Sequence, residues 1–160
     1  MQDEPPLSSP ARERLLIWRS FFETASALLD VLDRQLQARA GISLPWYDVL
    51  VHLEEADDGR LRMGDLANGI LFSKSGLTRV VDRMEHVGLV QRERPAGDRR
   101  VIEVVLTDAG RETLAAARPY HRDDVERLFA SHLDDRDFAA LARAMPKVRD
   151  VARTARLESV

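Results

Sequence analysis

The stretch from Ser73 to Arg100, SKSGLTRVVDRMEHVGLVQRERPAGDRR, restricts the fold of this chain more than any other. Its apolar residues Leu77, Val80, Val81, Met84 and Val87 recur at helical spacing, and Gly88 supplies a helix stop. Ser73 or Ser75 can cap the start of that helix. Lys74, Ser75, Thr78, Arg79, Asp82, Arg83 and His86 are left on the outward face. From Leu89 the pattern changes from helical to strand-like. Leu89–Arg94 and Arg100–Thr107 read as two strands joined by Pro95-Ala96-Gly97-Asp98-Arg99.

The preceding RMGDLANGI predicts a short helix over Gly64–Gly69, with a short strand at Leu61–Met63 before it. A helix pair followed by a hairpin with a basic tip is the outline of a winged helix-turn-helix. That arrangement offers one helix to a DNA major groove and the hairpin to a neighbouring minor groove.

Residues 1–10 read as a flexible tail because Pro5, Pro6 and Pro10 discourage helix. A long helix follows over Ala11–Ala40, closed by Gly41, with Leu15, Trp18, Phe22, Ala25, Leu29, Leu32 and Leu36 stepping by three and four. Ile17, Phe21, Leu28 and Val31 widen its apolar stripe beyond one face, so it needs more than one packing partner. Another subunit is the natural second one. The next helix starts near Ser43, turns Trp46, Val49, Leu50 and Leu53 inward, and ends in the acidic EEADDGR run. Thr107 is placed to cap a fifth helix that Pro119 is expected to kink or interrupt. Asp134–Asp137 form the acidic first turn of a sixth, carrying Phe138, Leu141, Met145, Val148 and Ala152 and bent at Pro146. The expected fold is mainly α with a small β-hairpin wing. Residues 43–107 form the winged helix-turn-helix, and 11–40 with 108–160 form a helical dimerisation region.

Charge distribution supports the same division. The chain has net charge -3, but residues 73–100 hold 7 Lys/Arg against 4 Asp/Glu, a local +3. Residues 1–72 (7 against 12) and 101–160 (10 against 11) are negative, and local charge governs contact with phosphates. The chain has no cysteine, which excludes disulfides and thiolate metal sites. No apolar run approaches the roughly 20 residues of a membrane span. MQDEPPLSSP is unlike a secretory signal, so a cytoplasmic setting is expected.

Three stretches together resemble the MarR (multiple antibiotic resistance regulator) family of bacterial transcription factors: LPWYDVLVHL at 44–53, LRMGDLANGILFSKSGLTRVVDRMEHVGLVQR at 61–92 and GDRRVIEVVLTDAGRETL at 97–114. The resemblance implies a homodimer, interlocked through terminal helices, that binds a two-fold-symmetric operator in double-stranded DNA and usually represses. It also implies release of DNA on binding a small molecule. Asp98 and Arg100 match the family's Asp-x-Arg wing, in which the acid orients an arginine into the minor groove. Arg99 would hold the adjacent phosphate. From the residues themselves, Ser73 and Ser75 at the helix start suit a phosphate, and Lys74 would neutralise the backbone. Arg79 and Thr78 are candidates for base edges, and Arg83 for phosphate. The competing expectation is that Arg79 and Arg83 only pair with Asp82 and Glu85 on a solvated face.

If the first two helices converge as in the family, Trp18, Phe22 and Trp46 line a cleft suited to an aromatic or phenolic ligand, with Arg19 or His52 meeting a negative group. Plain core packing explains the same spacing. His52, His86, His121 and His132 are scattered, and no nucleophile or phosphate-loop motif is present, so no cofactor and no enzymatic activity are expected. Two alternatives remain open: a winged-helix module for protein contacts, and a metal-dependent sensor or enzyme.

Overall fold

The computed structural model describes residues 9–70, 74–95 and 101–158. Helix α1 (Ser9–Ala40) is followed by α2 (Leu44–Glu55), strand β1 (Arg60–Arg62), α3 (Met63–Gly69) and α4 (Lys74–His86). Strands β2 (Val90–Glu93) and β3 (Glu103–Leu106), then α5 (Asp108–Leu128) and α6 (Asp135–Glu158), complete the order. The chain divides into two compact units, residues 1–122 and 123–160.

The core of the first unit is built from α2, α3, α4, the sheet and the first half of α5. Val49, Leu50, Leu53, Leu66, Val81, Met84, Val104, Leu114 and Ala117 are fully buried in it. Only the end of α1 joins this core, through Leu36 at 1% exposure with Leu32 and Ala40 beside it. The α1–α2 corner is held by Asp33, whose Oδ1 accepts from the Leu44 N–H at 2.7 Å. Ser43 caps α2 by accepting from the Trp46 N–H at 3.4 Å. Tyr47, absent from the expected inward set, is buried, whereas Trp46 is half-buried against the core.

The sheet is antiparallel in the order β1-β3-β2, with Leu61 opposite Val104 and Val90 opposite Leu106. Both hairpin strands are shorter than their sequence pattern, pairing from Val90↔Leu106 to Glu93↔Glu103. Helix α3 is tied to the sheet because the Met63 N–H donates to the Ile102 carbonyl at 3.0 Å.

Helix α4 ends in a turn that the sequence specifies closely. Gly88 has φ +79°, a left-handed conformation that costs glycine little. The Leu89 N–H reaches the Met84 carbonyl at 2.9 Å and the Gly88 N–H reaches that of Glu85 at 3.0 Å, the paired bonds of a Schellman stop. Leu89 and Met84 are both buried there. Val87 departs from expectation: it is 54% exposed, because it follows the last residue of α4 and the chain is already turning.

Thr107 locks that turn to α5. Its Oγ1 lies 2.8 Å from the Gly88 carbonyl and 2.9 Å from that of Leu89, and accepts from the Gly110 N–H at 3.0 Å. Gly110 sits so close that an added Cβ would lie 2.2 Å from the Leu89 carbonyl oxygen. The LTDAGR motif is therefore a docking joint between helix stop and helix start.

Helix α5 runs through Pro119 and α6 through Pro146 without interruption. Both prolines are exposed, so water can reach the carbonyl four residues back that lacks its helical partner. In the second unit, Asp134 caps α6 by accepting from the N–H groups of Arg136 (2.8 Å) and Asp137 (2.9 Å). Asp137 returns the bond to the Asp134 N–H at 3.1 Å, a carboxylate version of the capping box. Phe138 meets Phe129 edge-on at 6.3 Å between ring centres.

Candidate nucleic-acid interface

The burial pattern of α4 fixes which of its side chains can meet a partner. Leu77, Val80, Val81 and Met84 anchor the helix in the core, and Thr78, Arg79, Asp82, Arg83 and His86 are exposed on the other side. A 13-residue helix held so completely along one face presents the other as a rigid surface. Ser73, the side chains of Lys74 and Ser75, and the wing residues Asp98, Arg99 and Arg100 lie outside the described residues.

The charges on this face are not arranged as simple neighbour pairing would have them. Asp82 and Glu85 both go to Arg92, on β2. Arg92 Nη2 lies 2.6 Å from Asp82 Oδ1, and Nη1 lies 2.5 Å from Glu85 Oε2. The Arg92 backbone N–H also donates to Glu85 Oε1 at 2.8 Å. Burial acts to lower the Arg92 pKa, but its hydrogen bonds to Asp82 and Glu85 and their charges outweigh that and raise it. Among the described residues, Arg79 and Arg83 have no ion pair; Arg83 Nε donates to the Arg79 carbonyl at 3.2 Å. The expected pairing of Arg79 and Arg83 with Asp82 and Glu85 is thus replaced, because a cation from the adjacent strand meets both carboxylates at once. A lone arginine in a strand, just after a helix bearing acids three residues apart, was the available signal.

A second polar cluster joins α2 to α5. Arg118 pairs with Glu54 and hydrogen-bonds Tyr47, whose ring lies 4.4 Å from that of His121. Burial raises the Tyr47 pKa, opposed by the hydrogen bond and charge of Arg118. The Arg118 pKa is raised chiefly by its hydrogen bond to Glu54. The sequence pattern does not bring these residues together, since their separation along the chain hides the contact.

The expected cleft residues fall in different settings. Trp18 and Phe22 lie one helical turn apart on exposed α1, their rings 6.1 Å apart, and Arg19 pairs with Glu23 at 2.7 Å. Trp46 rests against the core of the first unit. The His52 Nδ1 lies 2.9 Å from the Asp48 carbonyl, and its ring packs against Gly69 of α3. Among the described residues no ring contact joins Trp18 or Phe22 to Trp46. No group of three His, Asp or Glu side chains among the described residues could hold a metal ion. No described helix is long and apolar enough to cross a membrane.

The MarR family profile matches residues 40–101, from the end of α1 to just before β3. The transcriptional regulator HosA of Escherichia coli O127:H6 is 34% identical over 107 residues, 65% of this chain and 77% of HosA. This chain belongs to the MarR family. The transcriptional repressor MprA of Escherichia coli K12 is a further relative by sequence, 25% identical over 119 residues, 74% of this chain and 67% of MprA. Two Streptomyces coelicolor MarR-family regulators share the fold over nearly their whole length. Sco3205, solved in complex with DNA, is 38% identical with TM-score 0.82, covering 92% of this chain and 91% of that one. AbsC is 33% identical with TM-score 0.83, covering 94% and 99%. All four are named as transcriptional regulators or repressors, and the enzyme alternative has no counterpart among them.

Proposed function

We propose that this MarR-family regulator acts as a homodimeric repressor that reads a two-fold-symmetric operator in duplex DNA. The observation behind this reading is the exposed face of α4, on which Arg79 and Arg83 are left for a partner while both acids are held by Arg92. The DNA-bound relative Sco3205 and the repressor MprA support it. Two copies of α4 would enter successive major grooves about 34 Å apart. Thr78 and Arg79 would meet base edges, with Arg83, Lys74, Ser73 and Ser75 on phosphates. Asp98, Arg99 and Arg100 would form the tip of a wing in the flanking minor groove.

The partner subunit is argued from exposed apolar surface. Leu15, Leu16, Ile17, Trp18, Phe21 and Phe22 of α1 all lie in water in the single chain, as do Phe138, Met145, Val148 and Val151 of α6. Single chains rarely leave so many large apolar side chains of one helix uncovered. Accordingly residues 11–40 and 108–160 serve as the dimerisation region and 43–107 as the DNA-reading lobe. Trp18, Arg19, Phe22, Trp46 and His52 are where an aromatic or phenolic effector would be sought. Such a ligand weakens DNA binding by its preference for a DNA-incompetent spacing of the two lobes.

The deciding experiment is selection of bound duplexes from a random library, followed by titration at several salt concentrations. A symmetric consensus with affinity falling steeply in salt is expected. Absence of any enriched sequence would favour a protein-contact module. With the selected duplex, Arg79→Ala is expected to cost about 1–3 kcal/mol and to relax preference at one base pair. Equal loss on all sequences would make Arg79 a phosphate contact instead.

A further inference from the structure

The carboxylates Asp82 and Glu85 are the only acidic side chains of α4, and both are bound by one guanidinium outside that helix. We propose that Arg92 is a positioning residue for DNA binding: it holds the hairpin to α4 and keeps that helix's two acids away from the arginines that face the duplex. The inference rests on the DNA-binding reading above.

Three features carry it. First, the attachment is multidentate. Besides its two carboxylate contacts, Arg92 Nη2 lies 3.5 Å from the Thr78 carbonyl, and the Arg92 N–H is bound by Glu85. One residue of β2 therefore spans α4 from Thr78 to Glu85, two turns of the helix. Second, Leu89, Val90, Val104 and Leu106 share one core with α4, and Arg92 adds a polar contact further along β2. Val90 is buried, but the next residue of β2, Gln91, is exposed, and the Arg92 side chain keeps 22% exposure at the open edge of the helix. The angle at which the hairpin leaves α4 is thus set by the core together with these polar contacts, to which the two-pronged guanidinium grip adds direction. Third, the charges are arranged to matter. Asp82 stands three residues after Arg79, a spacing at which the two would pair on a helix surface. With Arg92 in place, Asp82 is engaged elsewhere even though its side chain is 57% exposed. A helix offered to phosphates would otherwise present two uncompensated acids beside its cations.

The test compares Arg92→Met and Arg92→Lys, each in the natural chain and in an Asp82→Asn/Glu85→Gln background, on the selected duplex and on a random-sequence duplex at matched salt. Arg92→Met is expected to weaken binding of the selected duplex about tenfold, and to shrink the ratio of selected to random affinity. In the Asp82→Asn/Glu85→Gln background the same substitution should cost twofold or less, since the two charges that Arg92 holds are already gone and only neutral hydrogen bonds remain to be lost. Arg92→Lys, which keeps the charge without the two-pronged grip, should fall between. A tenfold loss that persists in the neutralised background, with a salt slope lower by about one, would make Arg92 a phosphate contact and overturn the proposal. So would a lowered melting temperature with the affinity ratio unchanged, which is all that a purely structural role would give. Should Arg92→Met fail to fold, Glu85→Gln alone, which leaves the Asp82 contact, reads the same loss of ratio. Wild-type protein that prefers no duplex sinks the DNA reading itself, before any variant is compared.

Discussion

Gly110→Ala is expected to destabilise the protein by about 3 kcal/mol, the upper end of what overpacking a core usually costs. For a chain of this size that is a fall in melting temperature of roughly 6–12 °C. The new Cβ would lie 2.2 Å from the Leu89 carbonyl oxygen and 2.6 Å from Leu106 Cδ1. The oxygen belongs to backbone that also accepts from Thr107, so it cannot retreat without breaking the joint between α4 and α5. The control is Gly64→Ala in α3, where nothing lies within 4 Å of an added Cβ. There alanine should be neutral or stabilise by about 0.4–1 kcal/mol, because it reduces the freedom of the unfolded chain. Thermal unfolding followed by circular dichroism separates the two. Equal melting temperatures for both variants would refute the close approach of α5 to the Leu89 turn.

Trp18→Asp combined with Phe22→Asp is expected to leave a folded monomer whose operator affinity is about 100- to 10,000-fold lower. Trp18 is 56% and Phe22 59% exposed in the single chain, so the exchange costs the lobe itself little. In a dimer the same positions would bury two carboxylates per chain without partners, a penalty no interface of this kind absorbs. Loss of the second lobe then removes the effective concentration that lets one bound half-site recruit the other. Sedimentation measures the first effect and a mobility-shift titration the second. A dimer that survives both substitutions would move the interface away from this face of α1. Deleting α1 up to Ala40 would be the wrong instrument, because Leu36 is part of the lobe's core and its loss would unfold what the experiment needs intact.

Most of the elements were legible from residue pattern alone. The α4 stripe, the Gly88 stop, the Thr107 cap and the acidic start of α6 are local signals, each set by a few neighbouring residues. They stand close to where the sequence puts them, with Asp134 serving as cap rather than first turn. Errors arose where a local rule met a longer-range fact. Val87 follows the helical period yet faces water, because the helix has ended before it. Pro119 does not interrupt α5, because the carbonyl it frees, that of Ala115, lies on an exposed side. The candidate interface was half legible. Spacing shows which side chains of α4 point outward, but not which of them a neighbouring strand has already engaged.

The amino-acid order alone determined the run of helices and strands, the one basic segment in a chain of net charge -3, and the family to which that run belongs. These depend on periodicity, caps and glycine stops, which act within a turn or two of the chain. Only the tertiary structure decided that Asp82 and Glu85 bind Arg92, that Glu54 binds Arg118, and that Gly110 lies against Leu89. Partners such as Glu54 and Arg118 are 64 residues apart in sequence, and such contacts exist only once the core has fixed the elements that bear them. Charge attraction and steric exclusion fall off over a few ångströms, so distance along the chain carries almost no information about them until the chain has folded.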